Sequence, residues 1–131
     1  MKLLDTMTLI ASLDPKHKHY RKAVNYLQRL RTHEDVFVPC VVIHECELVL
    51  RKNFSLTELE RLLRSLDLII PKNKIVPVDA ETHAIATQWK LIGQSFGGYT
   101  DTLIASFAFQ NRANVISCDA SFRQMGITTI W

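Results

Sequence analysis

Cysteine is scarce here: Cys40, Cys46 and Cys118 are all there is, and no two form a CxxC pair. An odd, scattered set speaks against a disulfide framework or a zinc knuckle and suits free thiols in a reducing compartment. Long apolar runs are also missing; none approaches the roughly 18 residues of a membrane span. The amino end does not read as a secretion signal, because Asp5 interrupts the apolar run and no small-residue cleavage site follows it. The expected location is therefore the cytoplasm, without membrane contact. No GxGxxG or GxxxxGKS/T glycine pattern is present, so nucleotide cradling lacks its loop. His44-Glu45 has no second histidine four residues on, which excludes a zinc-protease helix. Repeats, linkers and low-complexity segments are absent. The net charge of +3 is mild; it permits contact with nucleic acid without indicating it.

What is present is a chain of 131 residues, read as one domain over 1–131, in which apolar and polar segments alternate with short connections. Lys2 to Leu4 reads as a short buried strand stopping at Asp5, and Thr6 to Leu13 as a helix. After the Asp14-Pro15 turn, Tyr20, Val24, Leu27 and Leu30 recur at helical spacing within 17–33. Val36 to Pro39 reads as a strand and Val41 to Arg51 as a helix. Ser55-Leu-Thr-Glu58 is a capping box that opens a helix burying Leu56, Leu59, Leu62, Leu63 and Leu66. Ile75 to Val78 reads as a strand, placed at an edge by Pro77. Asp79 caps a helix facing inward with Ile85, Trp89 and Ile92, and Gly93, Gly97 and Gly98 break it. Thr100 to Asn111 is a helix apolar almost all round, hence central. Val115 to Ser117 is a strand, Ala120 to Met125 a short helix and Ile127 to Trp131 a last strand. Trp89, Phe107 and Phe109 are read as packing residues and Cys118 as core. Strand alternating with helix implies an α/β fold with a mainly parallel sheet covered on both faces.

Four acidic residues stand out by their surroundings. Asp5 sits where a strand hands over to a helix, so it either caps the helix or faces a ligand at the carboxyl edge of the sheet. Asp119 follows its own strand in the same way. Asp101 opens the most apolar helix, just after Gly97-Gly98-Tyr99-Thr100, and as a first-turn acid it suits the helix dipole. Glu45 falls within an apolar arc with Val41, Val42, Cys46, Leu48 and Val49 when the helix is projected at about 100° per residue. An inward carboxylate is costly unless neutralised, whether by a buried ion pair or by a site cation. Glu47, by contrast, can pair with Arg51 on the polar side. Asp79 also follows a strand, but an edge strand with no other acid near it, and is read as a plain cap. If the four acids converge, their mutual repulsion calls for a divalent cation among them. Oxygen-only ligands select Mg²⁺ or Mn²⁺, ions that work on phosphate oxygens. Basic residues gather at Lys16, Lys18, Arg21, Lys22, Arg29 and Arg31, and at Arg61, Arg64, Lys72 and Lys74. Lining the acidic edge, either group would bind a polyanion in a salt-dependent way.

Four short motifs, Leu4-Asp5-Thr6, Pro39-Cys-Val-Val-Ile-His-Glu45, Asp101-Thr-Leu-Ile-Ala105 and Ser117-Cys-Asp119-Ala-Ser-Phe122, occur in this order and spacing. In them the sequence resembles the PIN-domain ribonucleases, in particular the small VapC-type toxins of toxin–antitoxin pairs. The resemblance implies a three-layer sandwich with a five-stranded parallel sheet flanked by helices. It makes Asp5, Glu45, Asp101 and Asp119 the catalytic quartet, with Asp5, Asp101 and Asp119 holding Mg²⁺ or Mn²⁺ and Thr6 and Ser117 in support. It also implies an RNA substrate, a cognate antitoxin and a homodimer. Met7 departs from a frequent asparagine, and Ser121 from a position that is often acidic. Two alternatives remain at this level. One is a haloacid-dehalogenase-like phosphatase, although Met7 stands where its second aspartate belongs. The other is a PIN-like scaffold that binds RNA or protein without catalysis.

Overall fold

The computed structural model describes residues 1–131. Five strands, β1 (Lys2–Leu4), β2 (Val36–Pro39), β3 (Ile75–Val76), β4 (Asn114–Ile116) and β5 (Thr129–Ile130), form the sheet. Their order is β3-β2-β1-β4-β5, and every neighbouring pair is parallel. The chain lays β2 and β3 to one side of β1, then returns to lay β4 and β5 on the other. This reversal makes the carboxyl end of β1 a switch point, where parallel sheets open a crevice.

Parallel strands need long crossovers, and the helices supply them: α1 (Thr6–Leu13), α2 (Tyr20–Thr32), α3 (Cys40–Asn53), α4 (Leu56–Ile69), α5 (Ala80–Leu91), α6 (Tyr99–Gln110) and α7 (Ala120–Gln124). A 3-10 turn, Lys72–Lys74, leads into β3. Leu3 and Leu4 point to opposite faces of β1, and neither is exposed at all, so both faces of the sheet are covered. The core runs through Leu3, Leu4, Val38, Ile104, Val115 and Phe122. Full burial of one such side chain contributes about 1.5–3 kcal/mol. No helix is long and apolar enough to cross a membrane.

The capping box at Ser55 forms: the Ser55 hydroxyl accepts the Glu58 N–H, and Glu58 Oε2 accepts the Ser55 N–H at 3.1 Å. The proline-bearing strand lies at the edge as expected but is shorter, ending at Val76. The last strand is likewise reduced to Thr129–Ile130. Several inward assignments fail at helix ends. Leu56 and Ile92 are 82 % and 63 % exposed, because α4 begins and α5 ends beyond the layer they pack on. Leu48 and Phe109 are also exposed; Phe109 meets Trp89 edge-on at the surface, 5.6 Å between ring centroids. Cys118 is exposed rather than core, since it lies past the end of β4, outside the ladder.

Candidate metal centre at the carboxyl edge of the sheet

Asp5 leaves the central strand and caps α1, its Oδ1 accepting the Thr8 N–H at 2.7 Å. Thr8 in turn donates its hydroxyl to the Ile116 carbonyl of β4 at 2.8 Å, fixing the first turn of α1 to the neighbouring strand. Asp5 is only 2 % exposed. Burial is the main reason its carboxyl is pushed up to about 6; the Ser117 hydroxyl and the Thr8 N–H pull the other way, and the charge of Asp101 adds to the rise. The cap reading and the ligand reading are thus compatible: one oxygen can hold the helix while the other faces the crevice.

Glu45 projects from α3, half-buried, and accepts the Thr6 hydroxyl through Oε2. No arginine or lysine neutralises it. The three ion pairs of the chain, Lys2–Asp35, Glu47–Arg51 and Glu60–Arg64, all lie elsewhere. Asp101 sits in the first turn of α6, where its Oδ2 accepts the Gly98 N–H at 2.8 Å. Its carboxyl is raised, first by burial and then by the charges of Glu45 and Asp119, against the Gly98 hydrogen bond. Asp119 caps α7, accepting the Ser121 N–H at 2.8 Å, and its own N–H donates to the Ser117 hydroxyl at 2.9 Å. Ser117 therefore holds the Asp119 backbone, and its hydroxyl favours the charged form of Asp5.

Asp101 thus feels the other three acids: Asp5 couples to it, and Glu45 and Asp119 act on it directly. The carboxylates do not clasp, however; no three His, Cys, Asp or Glu side chains stand in ligating geometry. The reason is visible in the hydrogen bonds. Each acid is tied to its own backbone or to Thr6, and like charges without a cation keep apart. The donor set fits a hard divalent ion: it is all oxygen, it is net negative and it has no basic side chain of its own. Ser121 adds a hydroxyl that is buried without a hydrogen-bond partner, two residues beyond Asp119. Asp79 shows the contrast. It caps α5 through the Thr82 N–H at 2.8 Å but is exposed, and its carboxyl is lowered by the hydrogen bonds from Thr82. A surface depression of about 530 Å³ lies at the opposite end of the sheet against Arg112, Asn114 and Thr128 and contains no carboxylate.

A contribution not read from the sequence is that of Gly97. Its φ of +79° is left-handed, and a Cβ there would fall 2.5 Å from Asp101 Oδ2. A glycine pair three to four residues ahead of an acidic first-turn residue is the signal that could have revealed it. Gly97→Ala is expected to cost about 1–3 kcal/mol through the backbone strain and to push Asp101 aside. A urea melt unchanged from the parent protein would show that the turn tolerates a side chain.

A family profile described as PIN domain matches residues 2–127. No curated protein matches the chain in a sequence search. Among solved structures, FitAcB from Neisseria gonorrhoeae superposes with a TM-score of 0.76 at 23% identity, covering 100% of this chain and 97% of that one. VapC20 from Mycobacterium tuberculosis, described as a sarcin-ricin loop cleaving toxin, gives 0.76 at 13% identity, covering 98% and 97%. VapBC2 from Rickettsia felis, bound to a promoter DNA fragment, gives 0.72 at 18% identity, covering 98% and 96%. At these identities the superpositions establish the fold.

Proposed function

We propose that this chain, which belongs to the PIN domain family, is a metal-dependent endoribonuclease and the toxin of a toxin–antitoxin pair. The observation that carries the reading is the convergence of Glu45 and Asp119 on the partly buried Asp101, with no ion pair reaching any of the three. Three of the four acids cap helices, but gathered at a switch point their like charges disfavour the fold unless a cation joins them. Similarity to toxins crystallised with antitoxins, some on DNA, supports a cognate antitoxin partner. A homodimer and a cytoplasmic location belong to the same reading, the latter consistent with three free thiols. The phosphatase alternative has no residue for its general acid, because Met7 occupies that place and is exposed.

Asp5, Asp101 and Asp119 would hold Mg²⁺ or Mn²⁺. When bound, such an ion supplies positive charge to the non-bridging oxygens of a phosphodiester and Lewis acidity toward water. Glu45, with one oxygen occupied by Thr6, has the other free to orient the attacking water and accept its proton. Ser117 positions Asp119 by accepting its N–H, and its hydroxyl favours the Asp5 carboxylate. The expected result is cleavage of single-stranded RNA with Mg²⁺ or Mn²⁺ and none after chelation with EDTA. Cleavage that persists undiminished in EDTA would overturn the metal role, and intact RNA under every ion condition would overturn the nuclease.

A further inference from the structure

The connection between α1 and α2 and the first turn of α2 carry His17, Lys18, His19, Arg21 and Lys22, and none of these enters an ion pair. With Pro15 and Tyr20 they line a surface depression of about 370 Å³. Its position follows from Trp131. The Lys22 ammonium stands 5.3 Å over the indole, His19 meets it edge-on at 5.2 Å and Tyr26 stacks on it at 5.8 Å. Trp131 directly follows β5, and the Ser117 N–H donates to the Ile130 carbonyl at 3.2 Å. The backbone of Trp131 therefore leaves the sheet about one strand spacing, roughly 5 Å, from Ser117 and the loop that carries Asp119. The basic depression lies at the same edge of the sheet as the acids, on the β5 side.

We infer that the depression formed by His17, Lys18, His19, Arg21 and Lys22 against Trp131 anchors the phosphate backbone of single-stranded RNA beside the cleavage site. The inference rests on the nuclease reading, since a polyanion approaching four carboxylates needs a cationic hold nearby. Trp131 and Tyr26 give the hold rigidity, fixing Lys22 by a cation–π contact instead of leaving it free in solvent. The positive charge converges on His19, whose imidazole is held below its ordinary value by desolvation and then by Lys18, His17 and Lys22. The other basic cluster, on α4 and the 3-10 turn, has no such link to the acidic edge. Arg64 there is taken by Glu60, and Lys74 is spent on the carbonyls of His33 and Glu34.

The test is fluorescence anisotropy of a labelled 12-nucleotide single-stranded RNA in EDTA, over a range of salt. Lys18→Gln with Lys22→Gln should weaken binding about tenfold near 0.1 M salt. It should also lower the slope of log affinity against log salt by about 1.4, at about 0.7 for each phosphate that is no longer neutralised. Arg61→Gln with Lys72→Gln, an equal loss of charge elsewhere, should leave binding within about twofold. Lys18→Arg with Lys22→Arg should restore it, which guards against loss by misfolding. In a Trp89→Phe background, RNA should also change the fluorescence of Trp131. Equal weakening by both glutamine pairs, no weakening by either, or no RNA binding by the parent protein would each overturn the anchor. So would a loss confined to a polyglutamate peptide, which would make the patch a protein-docking surface. Cleavage of the same RNA after Mn²⁺ is added judges the nuclease reading separately. Parent cleavage with undiminished binding by the Lys18, Lys22 pair rejects the anchor alone.

Discussion

Asp5→Asn should lower RNA cleavage by about 10²-fold or more, the scale seen when one well-placed electrostatic group is removed from a site, while the protein stays folded. Asparagine keeps an oxygen where Asp5 accepts the Thr8 N–H at 2.7 Å, so the cap on α1 persists. What disappears is the negative charge at the central strand, and with it the affinity for a divalent ion. The measurement is turnover of labelled RNA in Mn²⁺, alongside circular dichroism and calorimetric titration of the ion. Turnover equal to that of the parent protein would remove Asp5 from the chemistry. Lost turnover with a lost fold would make it structural alone.

The same substitution should change how stability depends on pH. Asp5 has a folded value of about 6 against 3.8 for the ordinary group. Between these two values the folded chain binds more protons than the unfolded one, so this residue makes the protein less stable as pH rises. The cost is absent below about pH 3.8 and complete above about pH 6, where it amounts to about 3 kcal/mol. Asparagine cannot ionise. In EDTA, urea melts should therefore show parent and Asp5→Asn nearly equal near pH 4, with the variant more stable by up to about 3 kcal/mol at pH 7. Saturating Mn²⁺ should reverse the order at pH 7 by binding only the parent's folded form. Parallel curves across this range would mean that Asp5 is not desolvated in the folded protein.

The sheet and its helices were legible because period and punctuation agree along most of the chain. Ser55 and Glu58 announced α4, Pro77 announced an edge, and the uniformly apolar α6 announced the centre. Periodicity gives the face of a helix but not how far the core extends along it, so Leu56 and Ile92 prove exposed at their helix ends. Glu45 stood out as an acid on an apolar arc, yet Leu48 on the same arc is exposed, because α3 is covered only in part. Asp5 and Asp79 look alike in sequence, each following a strand and starting a helix. Their carboxyls move in opposite directions because one strand is central and the other peripheral, a difference set by strand order. The neighbourhood of Trp131 was not legible at all. It depends on β5 pairing with β4, which only the assembled tertiary fold brings about.

The double duty of Asp5 constrains how this protein could evolve. A lineage that gave up the chemistry would still need an oxygen there to accept the Thr8 N–H, so alanine or leucine would be selected against even when catalysis no longer mattered. Decay would run through asparagine, serine or threonine. Silent descendants would keep the outline of the old centre long after its charge was gone.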